Sequence, residues 1–190
     1  MKILITGGAG YVGSILVPQL LEKNYKVCVV DNLMYDNGHT LIHHFKNPKF
    51  KFIKGDARDK SLIEPLIHNF EFVIHLAAIV GFPACRKNPD LATSVNVDSS
   101  RLISSLLSKD QGTIYASTGS NYGIIENQIC TEDTPLNPIV NPSILSMKLN
   151  AFVMANNQNI VKLIFNRFAI SGPNEKKNSG ELNKFTCTPL

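Results

Sequence analysis

A glycine-rich turn close to the start of the chain limits its fold more than any other feature of the sequence. Residues 6–13 read T-G-G-A-G-Y-V-G, which fits both G-x-G-x-x-G and G-x-x-G-x-x-G. An apolar stretch at residues 3–5 precedes the turn, a helix-like segment at residues 11–23 follows it, and Asp31 comes directly after the next apolar stretch. A strand, a glycine turn, a helix and a second strand with a carboxylate at its end predict a βαβ unit that binds a dinucleotide.

The glycines and the carboxylate have separate physical roles in such a unit. The first glycines allow a tight turn, Gly10 lets backbone N–H groups approach a pyrophosphate, and Gly13 lets the helix lie close to the sheet. The N-terminus of that helix meets phosphate charge with unpaired N–H donors. Asp31 suits the adenosine ribose hydroxyls and its charge repels a 2′-phosphate, so the sequence predicts NAD rather than NADP. The alternative is that the glycines only form a strand-to-helix turn and that Asp31 only caps a loop.

Short apolar stretches alternate with longer helical segments along the chain. Strands are predicted at residues 2–6, 26–30, 50–54, 72–76, 112–116 and 160–165, and helices at residues 11–23, 40–45, 61–68, 91–107 and 143–156. Residues 27–30 are apolar on both faces of their strand, so helices must cover both sides of the sheet. The predicted fold class is therefore α/β, with a Rossmann-like, doubly wound parallel sheet.

The composition argues against several other classes of protein. The formal net charge is +4, but the Lys and Arg residues are scattered, so nucleic-acid binding is not predicted. The four cysteines lie far apart without zinc-ligand spacing, and no apolar stretch approaches membrane-spanning length. We predict a cytoplasmic protein with no membrane segment and no metal. His39 and His43, at i and i+4, leave a metal site on a helix as a minor alternative.

Further motifs follow the glycine turn in order along the chain. Residues 55–59 read G-D-A-R-D, 75–78 H-L-A-A, 94–97 S-V-N-V, 115–123 Y-A-S-T-G-S-N-Y-G and 167–169 R-F-A. Together they resemble the extended branch of the short-chain dehydrogenase/reductase superfamily, in particular its NAD-dependent sugar-nucleotide epimerases and dehydratases. The resemblance predicts one NAD-binding Rossmann domain over residues 1–172, followed by a poorly ordered tail at residues 173–190.

The resemblance also implies a role for each motif. Asp56 and Ala57 would contact adenine, residues 76–78 would run beside the cofactor, and Thr118 would hold the catalytic Ser/Thr position. Lys148 would position the nicotinamide ribose and take part in catalysis. The cofactor-binding residues implied are Gly7, Gly10, Tyr11, Val12, Gly13, Asp31, Asn32, Asp56, Ala57, Leu76, Ala77, Ala78, Asn96, Ser117 and Lys148.

Two features depart from the family pattern. Members of the family carry a tyrosine four residues before the lysine. This tyrosine exchanges a proton with a sugar hydroxyl as hydride moves. Ile144 stands at that position here. An isoleucine side chain carries no exchangeable proton, and the loss of a positioned acid or base costs about 10²- to 10⁴-fold in rate. The chain is also shorter than members of the family, so we expect the C-terminal substrate domain to be absent.

These features predict a homologue of the NAD-dependent epimerases and dehydratases that acts on a nucleotide-sugar by transient hydride transfer, with turnover impaired or lost. The first alternative is a non-catalytic module that binds NAD or a protein partner, and the second is a truncated gene product. The resemblance further implies a homodimer formed through a four-helix contact. A monomer with the same helix faces packed inward is the alternative.

Overall fold

The computed structural model describes residues 1–118 and 160–165. Its strands are β1 (Lys2–Thr6), β2 (Lys26–Asp31), β3 (Phe50–Lys54), β4 (Phe72–His75), β5 (Gly112–Thr118) and β6 (Ile160–Phe165). Its α-helices are α1 (Tyr11–Glu22), α2 (Lys60–Ile67), α3 (Phe82–Lys87), α4 (Pro89–Thr93) and α5 (Ser99–Leu106), with a 3₁₀ helix at Gly38–His44 and a π-helical turn at Ser94–Asp98. This alternation of strands and helices confirms the predicted α/β class.

The six strands form one parallel sheet in the order β3-β2-β1-β4-β5-β6. The chain begins at the centre of the sheet, moves outward through β2 and β3, and then crosses back to the other side of β1. This order is the predicted doubly wound arrangement. In such sheets ligands bind in the crevice outside the carboxyl ends of the strands where the direction of winding reverses, which here lies between β1 and β4.

Alternate residues of the central strands face two separate hydrophobic cores. Ile3 and Ile5 of β1 belong to the core that includes the buried residues of α1, whereas Leu4 packs in the opposite core with buried residues of α2 and α5. All three side chains are at most 1% exposed. Full burial of one such side chain contributes about 1.5–3 kcal/mol, so packing on both faces holds the strand ends in fixed positions.

The helical region after β4 differs from its prediction. Residues 91–107 were expected to form one helix, but α4, the π-helical turn and α5 divide this segment, and α4 begins at Pro89. The short helix α3 was not predicted. Asn88 separates α3 from α4 with φ −145° and ψ 85°, and its side chain caps α4 by accepting from the N–H of Leu91 at 3.0 Å. An extended residue of this kind ends one helix and begins another.

The other helices follow their predictions more closely. The segment predicted at residues 40–45 is a 3₁₀ helix, Gly38–His44. The predicted helix at residues 143–156 and the predicted tail at residues 173–190 lie outside the described residues. Over residues 1–118 and 160–165, no helix combines the length and apolar character needed to cross a membrane.

Candidate functional site

Gly7 lies where the crevice opens between β1 and β4. Its φ is +74°, a conformation that favours glycine, and an added Cβ would come within 2.5 Å of the Ala77 backbone nitrogen. Its N–H donates to the carbonyl of Val30 at 2.8 Å, which ties the turn to the end of β2. The backbone after β1 therefore runs directly against the backbone after β4, and a side chain at position 7 would force them apart.

Helix α1 begins at this turn with its first N–H groups uncapped by side chains. Gly10 is the N-cap residue and forms no side-chain cap, and no acidic residue stands in the first turn beside Tyr11 and Val12. An added Cβ at Gly13 would come within 2.3 Å of the Gly8 carbonyl oxygen, so the helix packs closely on the turn. An uncapped helix N-terminus offers N–H donors and a favourable dipole to an anion, which fits a pyrophosphate.

Asp31 points from the end of β2 to the glycine-rich turn. Its Oδ2 accepts from the Ala9 N–H at 3.0 Å, and its Oδ1 accepts from the Leu33 N–H at 2.8 Å. Each carboxylate oxygen retains a lone pair for a further donor. The carboxylate is therefore held beside the phosphate-binding turn, which is the position that its predicted role with a ribose requires.

Asp56 is held by a dense set of donors after β3. Oδ1 accepts from the N–H of Arg58 at 2.9 Å and from its Nε at 2.8 Å, while Oδ2 accepts from the guanidinium at 2.6 Å and from Asn32 Nδ2 at 3.2 Å. The side-chain hydrogen bond from Arg58, with further bonds from the backbone and Asn32, lowers the pKa of Asp56 to about 2. Ala57 beside it is buried. Four donors thus occupy the carboxylate of Asp56. The predicted contact of Asp56 with adenine stays a prediction.

Asn96 fixes the backbone that follows β4. It lies in the π-helical turn, and its Oδ1 accepts from the N–H of Ile79 at 2.7 Å while its Nδ2 donates to the carbonyl of the same residue at 2.9 Å. Leu76, Ala77 and Ala78 precede Ile79 in the chain, so this amide clamp orients the segment that the sequence predicts beside the cofactor. Asn96 was predicted as a direct cofactor ligand, and that contact stays a prediction.

His75, the last residue of β4 and the first of the H-L-A-A motif, joins several elements. It is 5% exposed, and its ring nitrogens contact Thr6 on one side and Ser99 and Ser100 on the other. The ring of Tyr115 stacks on it at 6.3 Å between centroids. Burial lowers the pKa of His75 to about 4 and raises the pKa of Tyr115 to about 12. Both groups are therefore uncharged near neutral pH.

The remaining predicted residues fall at the edge of the described part. Ser117 and Thr118 are the last two residues of β5, opposite Ile164 and Phe165 of β6. Since β5 pairs with β4 in the same direction, Thr118 lies at the carboxyl edge of the sheet, as the predicted catalytic position requires. Lys148 and Ile144 lie outside the described residues.

The histidines of the 3₁₀ helix do not support the metal alternative. A 3₁₀ helix has three residues per turn, so His39 and His43, four residues apart, do not share a face. Among the side chains that the structure describes, no group of three or more His, Cys, Asp or Glu residues is arranged to hold a metal ion.

A family model described as GDP-mannose 4,6 dehydratase matches residues 4–164, a stretch that runs from within β1 to within β6. The chain belongs to this family. It is 36% identical over 145 residues to the UDP-glucose 4-epimerase of Lactobacillus helveticus, a match that covers 73% of this chain and 42% of that enzyme. The chain thus spans less than half the length of this relative and of the similar putative UDP-glucose 4-epimerase of Methanocaldococcus jannaschii.

Solved structures of related enzymes share the fold. DesIV, the dTDP-glucose 4,6-dehydratase of Streptomyces venezuelae solved with NAD and TYD bound, superposes with a TM-score of 0.75 at 27% identity, over 82% of this chain and 51% of that one. The UDP-glucose 4-epimerase of Thermus thermophilus in complex with NAD gives a TM-score of 0.72 at 26% identity, over 82% and 50%. These matches confirm the predicted family and its Rossmann-like fold.

Proposed function

We propose that this chain binds NAD in the crevice between β1 and β4. The observation that carries the proposal is the combination of an uncapped α1 N-terminus with a carboxylate held beside it. Asp31 accepts from the Ala9 N–H within the turn that leads to Gly10, so donors for a pyrophosphate and an acceptor for a ribose hydroxyl lie together. The related dehydratase of Streptomyces venezuelae and epimerase of Thermus thermophilus, both solved with NAD, support the same cofactor.

The chain's own residues divide the binding between them. The backbone of Gly10, Tyr11, Val12 and Gly13 would face the phosphates, and Asp31 would accept from the adenosine ribose. Asp31 also places negative charge where a 2′-phosphate would have to lie, which favours NAD over NADP. The segment Leu76, Ala77 and Ala78, oriented through Asn96, would line the nicotinamide side.

Calorimetry on the full chain tests this proposal directly. NAD should bind with a measurable Kd, and NADP should bind more weakly because of Asp31. Absence of heat at millimolar NAD, in a sample shown to be folded by circular dichroism, would contradict the proposal. Gly10→Asp provides a matched negative variant, because it places a carboxylate at the helix N-terminus where the pyrophosphate charge should lie.

The activity that the family supports is the transformation of a nucleotide-sugar by transient hydride transfer. NAD would supply the hydride acceptor and donor in this chemistry. Thr118, at the carboxyl edge of the sheet, and Lys148 are the proposed catalytic residues. Because Ile144 replaces the tyrosine that would exchange the proton, we propose that turnover by this chain is reduced about 10²- to 10⁴-fold or lost.

Ile144 also favours a second function, a non-catalytic module that binds NAD or a protein partner. The variant Ile144→Tyr separates the two. With NAD present, UDP-glucose and dTDP-glucose serve as test substrates, because the relatives of this chain include a UDP-glucose 4-epimerase and a dTDP-glucose 4,6-dehydratase. Recovered turnover in Ile144→Tyr would show that one substitution silenced the site. No turnover in either form, with NAD bound normally, would favour the non-catalytic module.

The predicted location and assembly remain proposals. Cys28 and Cys85 are buried free thiols, and burial raises the pKa of Cys28 to about 11 and also raises the pKa of Cys85. Inert buried thiols of this kind suit a reducing compartment such as the cytoplasm. Sedimentation equilibrium of the full chain would distinguish the homodimer implied by the family from a monomer.

A further inference from the structure

The ring of His75 lies at the centre of a buried hydrogen-bond network. Nδ1 lies 2.5 Å from Thr6 Oγ1, and Nε2 lies 2.9 Å from Ser100 Oγ and 3.2 Å from Ser99 Oγ. Thr6, Ser99 and Ser100 are themselves at most 3% exposed, so water does not substitute for these partners. The network therefore connects β1, β4 and α5 through one side chain.

The two serine hydroxyls determine which nitrogen of His75 carries the proton. Ser99 Oγ donates to the Val95 carbonyl, and Ser100 Oγ donates to the Asn96 carbonyl at 2.8 Å. A hydroxyl has a single proton, so both serine oxygens can only accept on the side that faces His75. Nε2 must then donate. Since the buried ring is uncharged near neutral pH, Nδ1 accepts from the Thr6 hydroxyl.

The two serine hydroxyls also hold the π-helical turn. A serine hydroxyl in a helix can donate to the carbonyl four residues earlier. Ser99 and Ser100 donate in this way to Val95 and Asn96, which lie within the turn. Asn96 in turn holds both backbone groups of Ile79, so His75 is linked through Ser100 to the segment after β4.

Each end of this network lies next to backbone of the proposed cofactor crevice. Thr6 immediately precedes Gly7, and His75 immediately precedes Leu76. The close approach of Gly7 to Ala77 leaves no space for a Cβ, so a shift of either strand end changes the shape of the crevice. The geometry can thus transmit the orientation of one buried ring to both sides of the site.

We propose that His75 is a positioning residue, which as the Nε2–H tautomer fixes the ends of β1 and β4 and thereby the backbone of Gly7 and Leu76–Ala78 for cofactor binding. The expected effect of His75 on cofactor binding rests on the proposed NAD function. The tautomer of His75 does not rest on that function, because the hydrogen-bond network is present in the chain itself.

The tautomer is tested by long-range ¹H–¹⁵N correlation spectra of the full chain at neutral pH without NAD. The His75 resonances, assigned by their loss in His75→Gln or by their shift in Thr6→Val, should show a protonated Nε2 and an unprotonated Nδ1. A protonated Nδ1 or a charged ring would overturn the proposal. This result is independent of whether the chain binds NAD.

The positioning role is tested by two matched substitutions. Thr6→Val and Thr113→Val each remove one buried hydroxyl and keep the side-chain shape, and the Thr113 hydroxyl bonds to the Val73 carbonyl away from the carboxyl edge of the sheet. We expect Thr6→Val to raise the Kd for NAD about tenfold, the value of one buried hydrogen bond, and Thr113→Val to change it less than about twofold. Thr6→Ser, which keeps the donor, should restore wild-type affinity.

Two results would overturn the positioning role. One is an unchanged Kd in Thr6→Val, and the other is an equal loss of affinity in both valine variants, which would reflect stability alone. If the wild-type chain binds no NAD, the proposed function fails, and the amide shifts of Gly7 and Ala77 then decide the structural part. They should move in Thr6→Val and stay in place in Thr113→Val, and the reverse pattern would refute the network.

Discussion

The two sides of the crevice are built by different physical means. On the β1–α1–β2 side, backbone groups approach each other so closely that added Cβ atoms at Gly7 and Gly13 would lie within 2.5 and 2.3 Å of other backbone atoms. On the β4 side, side chains far apart in sequence fix the backbone, as Asn96 does for Ile79 and as Ser99 and Ser100 do for His75. The first side depends on the absence of side chains, and the second depends on particular donors and acceptors.

This difference sets what each side tolerates. A side with no room for a Cβ fails with almost any substitution, because the backbone itself must move. A side held by hydrogen bonds tolerates a replacement that keeps the same donors and loses about 1 kcal/mol for each bond removed. Substitutions on the two sides therefore separate steric from polar control of the same crevice.

Gly7→Ala should give the largest effect. A positive φ costs an L-residue about 1–2 kcal/mol, and the contact with the Ala77 backbone adds an overpacking cost of about 1–3 kcal/mol. We expect the free energy of unfolding to fall by about 3.5 kcal/mol, the middle of the summed range, and NAD binding to be lost. Urea denaturation and calorimetry measure the two effects.

Gly81→Ala is the control for this prediction. Gly81 also has a positive φ, +90°, but an added Cβ would meet nothing within 4 Å. Its substitution should show the conformational cost of about 1–2 kcal/mol without the steric one and without loss of NAD binding. Equal effects at the two glycines would mean that the close approach to Ala77 has no role.

Asp31→Asn should give the next largest effect. It changes a polar group on the β1–α1–β2 side of the crevice. The amide has only one acceptor oxygen, so either the Ala9 or the Leu33 N–H loses its partner. We expect the Kd for NAD to rise about thirtyfold, as a charged hydrogen bond is removed, and the preference for NAD over NADP to narrow. Calorimetry with both cofactors measures this. Asp36→Asn, at an exposed position, should leave both values unchanged.

Asn96→Ala tests the β4 side of the crevice, which hydrogen bonds hold. It removes both bonds to Ile79, so we expect the free energy of unfolding to fall by about 1–2 kcal/mol and the Ile79 amide to exchange faster with solvent. Hydrogen exchange measures the local effect. Asn69→Ala, which removes exposed bonds to the carbonyls of Pro65 and Leu66, should cost only a few tenths of a kcal/mol. Unchanged exchange at Ile79 would show that the clamp does not hold this segment.

The β1–α1–β2 side of the crevice could be predicted from the sequence because its determinants are local. Glycines within eight residues define the turn, and strands apolar on both faces require a covered parallel sheet. The predicted strand bounds differ from those observed by at most two residues. Local patterns also placed Asp31 at the end of β2, where the structure holds it against the turn.

The hydrogen bonds of the β4 side could not be predicted because the residues that they join are distant in sequence. The π-helical turn interrupts a segment predicted as one helix. The contacts of Ser99 and Ser100 with His75 and of Asn96 with Ile79 join residues 17 to 25 positions apart. The sequence identifies His75 only as part of the H-L-A-A motif, because nothing in its neighbours along the chain indicates Thr6 or Ser100 as partners. The bond from Arg58 to Ser94, which lies 36 residues further along the chain, was missed for the same reason.

The smallest expected effect concerns the link between the two sides. Arg58 donates to Asp56, which follows β3, and, through its guanidinium at 3.1 Å, to Ser94 at the start of the π-helical turn. The folded pKa of Asp56, about 2, lies below its ordinary value of 3.8, so its carboxylate stabilises the fold above about pH 4. That contribution is lost as pH falls towards 2, because protonation then removes the acceptor.

Since the side chain of Asp56 is 29% exposed, solvent screening limits this contribution to about 1 kcal/mol. We expect Asp56→Asn to be less stable than the wild type by about that amount at pH 7 and to approach it at pH ~2.5, as measured by urea denaturation at each pH. Asp36→Asn controls for the loss of one exposed carboxylate. A difference that does not change with pH would show that Arg58 holds the two sides together by shape, since its ion pair with Asp56 would then contribute nothing that protonation can remove.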